Sequence, residues 1–340
     1  MRGCWAGVVC RSAGLPGNPS LGARGGRYLS VLIYMLRRLV QSIPVLLAVT
    51  LIAFSLIHLV PGDPVRVMLG VRATEEAIAI LREQLGLDQP LPIQYLNFLI
   101  HAARLDFGTS LTLRTAIGPL IAARAKNSIS LLLYSVTVSL LIAVPLAVLA
   151  AVRRNRPADH LVRLFTTITF AMPAFWTALI LVLVFSLKFR LFPTSGLGEG
   201  LAGYVLSLTL PSITIGFYLA PVLLRSLRAS LIETLSAEFI EAARARGLSE
   251  TRVLFKHVLR NSLIAMITVL GVNVGFLISG AVVIENVFSI PGMGSLMVTS
   301  IIARDYPVVV ALTLVFGVAV VFVNLLVDLS YALLDPRIRL

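Results

Sequence analysis

The sequence has little charge and almost no cysteine. Only 13% of its 340 residues are charged and 58% are hydrophobic, whereas a soluble domain is about half apolar and one-quarter charged. The two cysteines, Cys4 and Cys10, lie close together at the start of the chain without CxxC spacing, which excludes a disulfide framework. The mean hydropathy of +0.94 lies outside the range of soluble globular domains and indicates a membrane protein.

The chain also lacks the motifs of an energy-converting or catalytic centre. No Gly-Lys dipeptide occurs, so no phosphate-binding P-loop is present, and HExxH and GxSxG are missing too. The histidines, His58, His101, His160 and His257, lie in separate segments without a second ligand at metal-binding spacing. The apolar segments hold almost none of the ionisable groups that ion-coupled carriers use. We therefore expect a non-enzymatic protein that binds no cofactor and no metal itself.

Six long runs without Asp, Glu, Lys or Arg dominate the chain, at 39–62, 127–152, 164–187, 200–224, 261–284 and 306–327. A helix needs roughly 20 apolar residues to cross the hydrocarbon core. The runs predict an all-α integral membrane fold with six transmembrane helices, at about 39–60, 129–151, 164–187, 204–224, 262–284 and 306–328. A further run, 286–303, is interrupted by Pro291 and Gly292 and predicts a turn followed by a short interfacial helix.

The positions of the 29 basic residues predict how these helices are oriented. Six spans place both ends of the chain on one side, together with the turn around Arg153, Arg154 and Arg156 and the charged segment 225–260. Short loops rich in Arg and Lys stay in the cytoplasm. Both termini and 225–260 are therefore predicted to be cytoplasmic and 61–127 extracytoplasmic. The net charge of +13 then reflects basic residues that flank the spans, so we expect the lipid bilayer as surroundings and no nucleic-acid partner.

The first residues form a Gly-, Arg- and Pro-rich segment without the apolar core of a signal peptide. Met35 directly precedes the first span. We expect translation to start at Met35, with 1–34 as a poorly structured extension and 35–340 as the transmembrane domain.

Segment 61–127 is predicted to be ordered on the outer face. Pro61-Gly62-Asp63-Pro64 ends the first span, and ATEEAIAILREQLGL predicts an amphipathic helix that is capped near Thr74 and stops at Gly86. The pattern PLPIQYLNFLIHAARL predicts a second helix. The segment either meets a partner or serves only as a lid.

The stretch EFIEAARARGLSETRVLFKHVLRN, at 238–261, is unusually charged for this chain. Its composition predicts a helix with Ser236 as the N-cap, acids in the early turns, cations in the last turn and Gly247 as the left-handed residue that ends it. A second helix, 250–259, then returns towards the membrane. An ordinary solvated loop with interfacial helices is the alternative.

This stretch resembles the EAA loop of permease subunits of bacterial ATP-binding-cassette importers, in which Glu-Ala-Ala and three further residues precede a glycine. Other motifs follow the same resemblance in order: LIHLVPGDPVRVMLG, LREQLGLDQPLPIQY, DFGTSL, AMPAFW, ENVFSIPGMGSLMVTSIIARDYPVV and NLLVDLSYALLDPRIRL. Together they are similar to the B-type, binding-protein-dependent dipeptide, oligopeptide and nickel branch. The Ile and Pro of the general loop pattern are absent, because 257–260 reads His-Val-Leu-Arg, and Ala265 replaces a frequent Pro.

The resemblance implies a type-I importer permease in a bacterial or archaeal cytoplasmic membrane. Its implied partners are a second homologous permease, two cytoplasmic ATPase domains that hold ATP and Mg²⁺, and an extracytoplasmic solute-binding protein. The residues implied to couple to the ATPase are Glu238, Glu241, Ala242, Ala243, Arg244, Arg246 and Gly247. The expected cargo is a di- or oligopeptide, with nickel chelates, glutathione or oligosaccharides as alternatives, and the substrate-binding residues remain unassigned. A secondary carrier is the alternative of another class.

Overall fold

The computed structural model describes residues 22–59, 65, 74–84 and 88–334. The regular elements of these residues are helices: α1 Gly22–Leu59, α2 Glu75–Gln84, α3 Leu91–Ala103, α4 Ile117–Val152, α5 Pro157–Ala171, α6 Ala174–Lys188, α7 Gly200–Leu235, α8 Glu238–Ala245, α9 Glu250–Val287, α10 Met293–Ile302 and α11 Tyr306–Leu334. Within the described part of the chain, α1, α4, α7, α9 and α11 are each long and apolar enough to span a membrane. The all-α membrane fold is thereby confirmed.

The predicted span at 164–187 is wrong as a single helix. It is a pair, α5 and α6, bent by 104°. Met172 lies between them in an extended conformation, at φ −84° and ψ 129°. The ring of the following Pro173 disfavours helical geometry at the residue before it, which accounts for the break. Together the two helices are long and apolar enough to count as one broken span, and α6 ends in a π-helical segment, Val182–Lys188.

The other spans are longer than their apolar runs. The first helix begins at Gly22, so 22–34 are helical where a poorly structured extension was expected. The fourth helix starts at Ile117 and so takes in the end of the predicted outer segment. Helix α7 continues beyond its apolar run, 200–224, to Leu235. Prolines lie inside three of these helices, as is tolerated where neighbouring helices satisfy the freed backbone groups.

Contacts along the helices show which ends share a side. Helices α4 and α7 run parallel, because Tyr134 is paired with Thr209, hydroxyl to hydroxyl, at 3.2 Å and a Cβ on Gly216 would lie 2.9 Å from Val138. Helix α9 is antiparallel to α7, since the Ser262 hydroxyl donates to Thr234 at 3.1 Å. The ends of α4 and α7 and the start of α9 therefore lie on one side, which we call the α8 side.

The same side receives the start of α1 and the end of α11. A Cβ on Gly271 of α9 would lie 2.3 Å from Val327 of α11, and one on Gly317 of α11 would lie 2.5 Å from Val49 of α1. Small residues at such crossings allow membrane helices to approach closely. The starts of α1 and α9 and the ends of α4, α7 and α11 therefore share one side, and the spans alternate in direction along the chain wherever these contacts define it.

On the opposite side, two short helices cover the bundle. The Thr74 hydroxyl accepts a bond from the Ala77 N–H at 3.3 Å, so the predicted cap of α2 is confirmed. Helix α3 packs on α1 through Tyr95, whose hydroxyl lies 2.8 Å from that of Thr50. The predicted short helix after Pro291 is also confirmed, as α10. Pro61–Pro64 and Gly86, predicted to end a span and a helix, lie outside the described residues.

Candidate functional site

The charged stretch forms a helix, a sharp turn and the start of the next spanning helix. Helix α8 begins one residue later than a Ser236 cap would require. The Ser236 hydroxyl instead donates to the carbonyls of Ile232, at 3.3 Å, and Glu233, at 2.9 Å. Serine commonly bonds back to the preceding turn in this way. The prediction of Ser236 as N-cap is therefore wrong: Ser236 ends α7, and Ala237 precedes α8 without a side-chain cap.

One face of α8 anchors it to the bundle. Ile240 is completely buried and Ala243 is 9% exposed, and both belong to the main hydrophobic core of the described residues. Ala243, predicted to contact a partner, therefore faces the protein's own core. Its small side chain lets α8 lie close to that core.

The opposite face of α8 forms an exposed stripe, Glu238, Glu241, Ala242 and Ala245. These residues follow the i, i+3, i+4, i+7 spacing of one helix face. We call these four residues the coupling face. It offers two methyl side chains next to two carboxylates and is shallow enough for another protein's backbone to approach.

A glycine turn fixes where this helix ends. Gly247 has φ +77°, as the sequence predicted. Its N–H donates to the Arg244 carbonyl at 2.9 Å, and the Leu248 N–H donates to the Ala243 carbonyl at 3.4 Å. This pair of bonds is a Schellman motif, in which a left-handed residue satisfies the last carbonyls of a helix. A Cβ at Gly247 would meet nothing within 4 Å, so only its backbone conformation requires glycine.

An ion pair braces the turn. The Arg244 guanidinium donates to both carboxylate oxygens of Glu250, at 2.9 and 3.2 Å. Arg244 is thus engaged within the chain, while Arg246 is exposed at the end of α8. Sequence reasoning missed Glu250, because a six-residue separation across a glycine turn matches no helical spacing.

The predicted separate helix at 250–259 is wrong. Residues 250–252 are α-helical, Val253–Leu259 form a π-helical segment, and the helix then continues from Arg260 to Val287. The turn is thus joined rigidly to a membrane-spanning helix. π-Helical segments are rare and are frequent at functional sites.

Two exposed aromatic residues were not singled out from the sequence. Phe239 of α8 is 48% exposed and Phe255 of the π-helical segment is 59% exposed. Both lie in the most charged part of the chain, and that contrast is the signal that could have identified them. They are suited to act as apolar anchors in a protein interface.

The motif IENVFSIPGMG folds into a buried polar cluster on the opposite side. The Ser128 hydroxyl donates to the Glu285 carboxyl group at 2.6 Å, and the Ser295 N–H donates to its other oxygen at 3.0 Å. Asn127 donates to the Pro291 carbonyl at 2.8 Å. Glu285 is 1% exposed. Its partners are all within the chain, so the motif serves packing.

Two further motifs meet at Asp305. The Ser110 hydroxyl and the N–H groups of Leu111 and Thr112 all donate to this carboxylate. Asp305 is 2% exposed. It therefore joins DFGTSL, before α4, to the start of α11.

A continuous face of α9 is uncovered in the membrane region. Val272, Phe276, Ser279, Gly280 and Val283 are all exposed and recur at helical spacing. The face carries no charge. Among the residues that the structure describes, no three His, Cys, Asp or Glu side chains are grouped to hold a metal ion.

Comparison with known proteins gives two family matches. A model described as "Binding-protein-dependent transport system inner membrane component" matches residues 143–340. A second, described as "Binding-prot-dependent transport system membrane comp, N-term", matches residues 31–111.

Relatives and solved structures agree with these matches. The glutathione transport system permease protein GsiC of Salmonella typhimurium is 40% identical over 309 residues, 91% of this chain and 99% of that protein. Its Escherichia coli namesake is 38% identical over the same length. An inward-facing structure of the methionine ABC transporter MetNI superposes with a TM-score of 0.54 at 17% identity, covering 64% of this chain and 96% of that one. This last likeness concerns the fold.

Proposed function

The chain belongs to the family of binding-protein-dependent transport system inner membrane components, the permeases of ATP-binding-cassette importers, and we propose that it forms half of a translocation path. A second homologous permease forms the other half. Two ATPase domains that hold ATP and Mg²⁺ lie beneath the pair, and a solute-binding protein delivers the cargo from outside. The α8 side and both termini face the cytoplasm, which the arginine-rich turn after α4 supports.

The coupling face is proposed as the contact with the ATPase. The observation that carries this proposal is an exposed, shallow helix face on a rigid base. Ile240 fixes α8 to the core, and the Gly247 turn and the Arg244–Glu250 pair fix its end. Phe239 and Phe255 add apolar area on either side of the turn. Movement of an ATPase against this face is transmitted directly to α9, because no loop intervenes between the π-helical segment and the span.

A substitution at Gly247 tests the coupling. Gly247→Val strains a residue at φ +77° without any clash, so the turn rearranges at a cost of about 1–2 kcal/mol. We expect ATP hydrolysis to continue while substrate uptake falls at least about tenfold, measured on the purified complex in proteoliposomes.

A matched control separates coupling from general strain. Gly196 has φ +76° and equally open surroundings, but lies in the loop before α7. Gly196→Val imposes the same backbone strain on the opposite side and is expected to leave coupling intact. Equal uptake by the Gly247→Val complex and the unaltered complex would contradict the docking role.

The uncovered face of α9 is proposed to line the path and meet the second permease. Its small residues Ser279 and Gly280 allow close approach, and a Cβ on Gly280 would meet nothing within 4 Å. A path with uncharged walls suits a solute bound mainly through its backbone groups. Disulfide cross-linking of Ser279→Cys to cysteines along the facing helix of the second permease tests this placement.

The proposed cargo is a short peptide, with glutathione as the first candidate. Glutathione is a tripeptide. The solute named for the 40% identical relative therefore belongs to the peptide class that we expect as cargo. Uptake of labelled glutathione, a dipeptide and an oligopeptide is to be compared in cells with and without the gene. Loss of glutathione or peptide uptake is expected, whereas selective loss of nickel or oligosaccharide uptake would refute the cargo class.

A further inference from the structure

The turn between α4 and α5 presents three arginines for which the described part of the chain supplies no acidic partner. Arg153, Arg154 and Arg156 are all exposed. Ion pairs occur nearby at Arg163 and Arg228, but none within the described residues involves the three turn arginines. The turn is therefore a concentrated patch of positive charge.

The backbone that carries these arginines is held rigidly. Asn155 has φ +59°, and its N–H donates to the carboxylate of Asp159 at 3.0 Å. Asp159 is completely buried and accepts two bonds of 2.8 Å from Arg228 of α7. The turn is thus fixed to the bundle, and these hydrogen bonds set the backbone conformation from which the arginine side chains extend.

The surroundings of the patch are those of a membrane surface. Val152, the last residue of spanning helix α4, is 57% exposed, and Leu161 and Leu164 of α5 are 67% and 56% exposed. Their neighbours on α5, His160 and Arg163, are polar and exposed as well. Exposed arginines beside exposed apolar side chains at the end of a span are typical of the boundary between headgroups and acyl chains.

We propose that this turn is a binding site for anionic phospholipids. The guanidinium groups of Arg153, Arg154 and Arg156 bind the headgroup phosphates, and Leu161 and Leu164 contact the acyl chains. Guanidinium donates paired hydrogen bonds to phosphate, and basic clusters at a membrane surface attract anionic lipid. The segment 238–250 differs, because its two arginines are accompanied by three acids, Glu238, Glu241 and Glu250, and its helix lies beyond the spans. That the lipid belongs to the cytoplasmic leaflet rests on the proposed function.

Lipid titration of the assembled transporter tests the site. The detergent-purified complex is titrated with phosphatidylglycerol or phosphatidylcholine, and bound lipid is counted by native mass spectrometry. The unaltered complex is expected to prefer phosphatidylglycerol. The triple variant R153Q/R154Q/R156Q should lose at least about tenfold in that affinity, since each cation near the surface contributes several-fold. The triple lysine variant keeps the charge and should retain most of the affinity for phosphatidylglycerol.

A charge-matched control comes from the opposite side. Arg104, Arg114 and Arg190 are exposed there, so R104Q/R114Q/R190Q removes the same charge and should leave lipid preference unchanged. An unchanged preference in R153Q/R154Q/R156Q would overturn the proposal, as would full displacement of the lipid by inorganic phosphate. Loss of bound ATPase from that variant with unchanged lipid binding would identify a protein contact instead and overturn it too. Co-purification of the ATPase is recorded separately, so failure of the proposed function remains distinguishable.

Discussion

Two helix–turn–helix segments of this permease use the same residue types in opposite ways. The turn after α8 and the turn after α9 each combine a glycine with acidic residues. Glu241 of α8 is exposed, whereas Glu285 of α9 is 1% exposed and bound by Ser128 and Ser295. Gly247 is needed for its positive φ in open space, whereas Gly292 is needed because a Cβ would touch the Glu285 carboxyl group.

The contrast separates residues that hold the fold from residues that are available to a partner. An acid whose carboxylate oxygens already accept hydrogen bonds within the chain contributes to stability. Such an acid has few free acceptors for another protein. An acid on the coupling face contributes little to folding and keeps its acceptors available to a partner. Substitutions in the second turn should therefore change stability, and those in the first turn should change coupling.

The largest effect on stability is expected for Glu285→Ala. It removes the acceptor of the Ser128 hydroxyl and the Ser295 N–H and leaves a cavity. Buried donors without partners and the cavity together cost about 3 kcal/mol or more. The thermal midpoint of the purified complex in detergent should fall by several degrees. A midpoint equal to that of the unaltered complex would mean that this cluster does not hold the turn.

Gly292→Ala should destabilise by a smaller amount. A Cβ at this position would lie 2.3 Å from the carboxyl carbon of Glu285. Forcing a methyl group into a packed site costs about 1–3 kcal/mol. Gly118→Ala is the matched control, because a Cβ there would also meet nothing within 4 Å. Equal thermal midpoints for the two alanine variants would refute the close packing of this turn.

The sequence predicted the architecture because uninterrupted apolar length is a local property. The spanning segments follow from this length, whereas the short helices α2, α3 and α10 and the left-handed Gly247 follow from other local signals, namely helical periodicity, helix-breaking residues and the charges at the helix ends. The break at Met172 was missed, because the length of the apolar run 164–187 does not reveal the angle that Pro173 imposes.

Contacts between distant segments could not be derived from the chain. Asp305 meets Ser110 across 195 positions, and no spacing rule connects them. Within 238–250, the sequence identified the helix and its end but revealed neither the burial of Ala243 nor the pairing of Arg244 with Glu250. The side chain of Ala243 is turned inward because Ile240 sets the buried face, and Arg244 finds Glu250 only after the turn has formed.

The Arg244–Glu250 pair should contribute modestly to stability. Both side chains are substantially exposed, and exposed pairs contribute about 0.2–1 kcal/mol. A double-mutant cycle of Arg244→Ala and Glu250→Ala on the thermal midpoint measures this coupling energy. A value within the range supports a brace on the turn, and a value near zero would show that the Gly247 backbone bonds hold the turn alone. Raised salt should reduce the coupling energy.

The smallest effect on stability is expected for Glu241→Ala, and it tests the comparison most directly. Glu241 is exposed and makes no side-chain bond among those found in the described residues. Its replacement should therefore change the free energy of unfolding by no more than about 0.5 kcal/mol, which leaves the thermal midpoint nearly unchanged. Substrate-stimulated ATP hydrolysis should nevertheless fall several-fold, because a contact across the proposed interface is lost. A lower midpoint with normal stimulation would reverse the assignment, placing Glu241 with Glu285 among the residues that hold the fold.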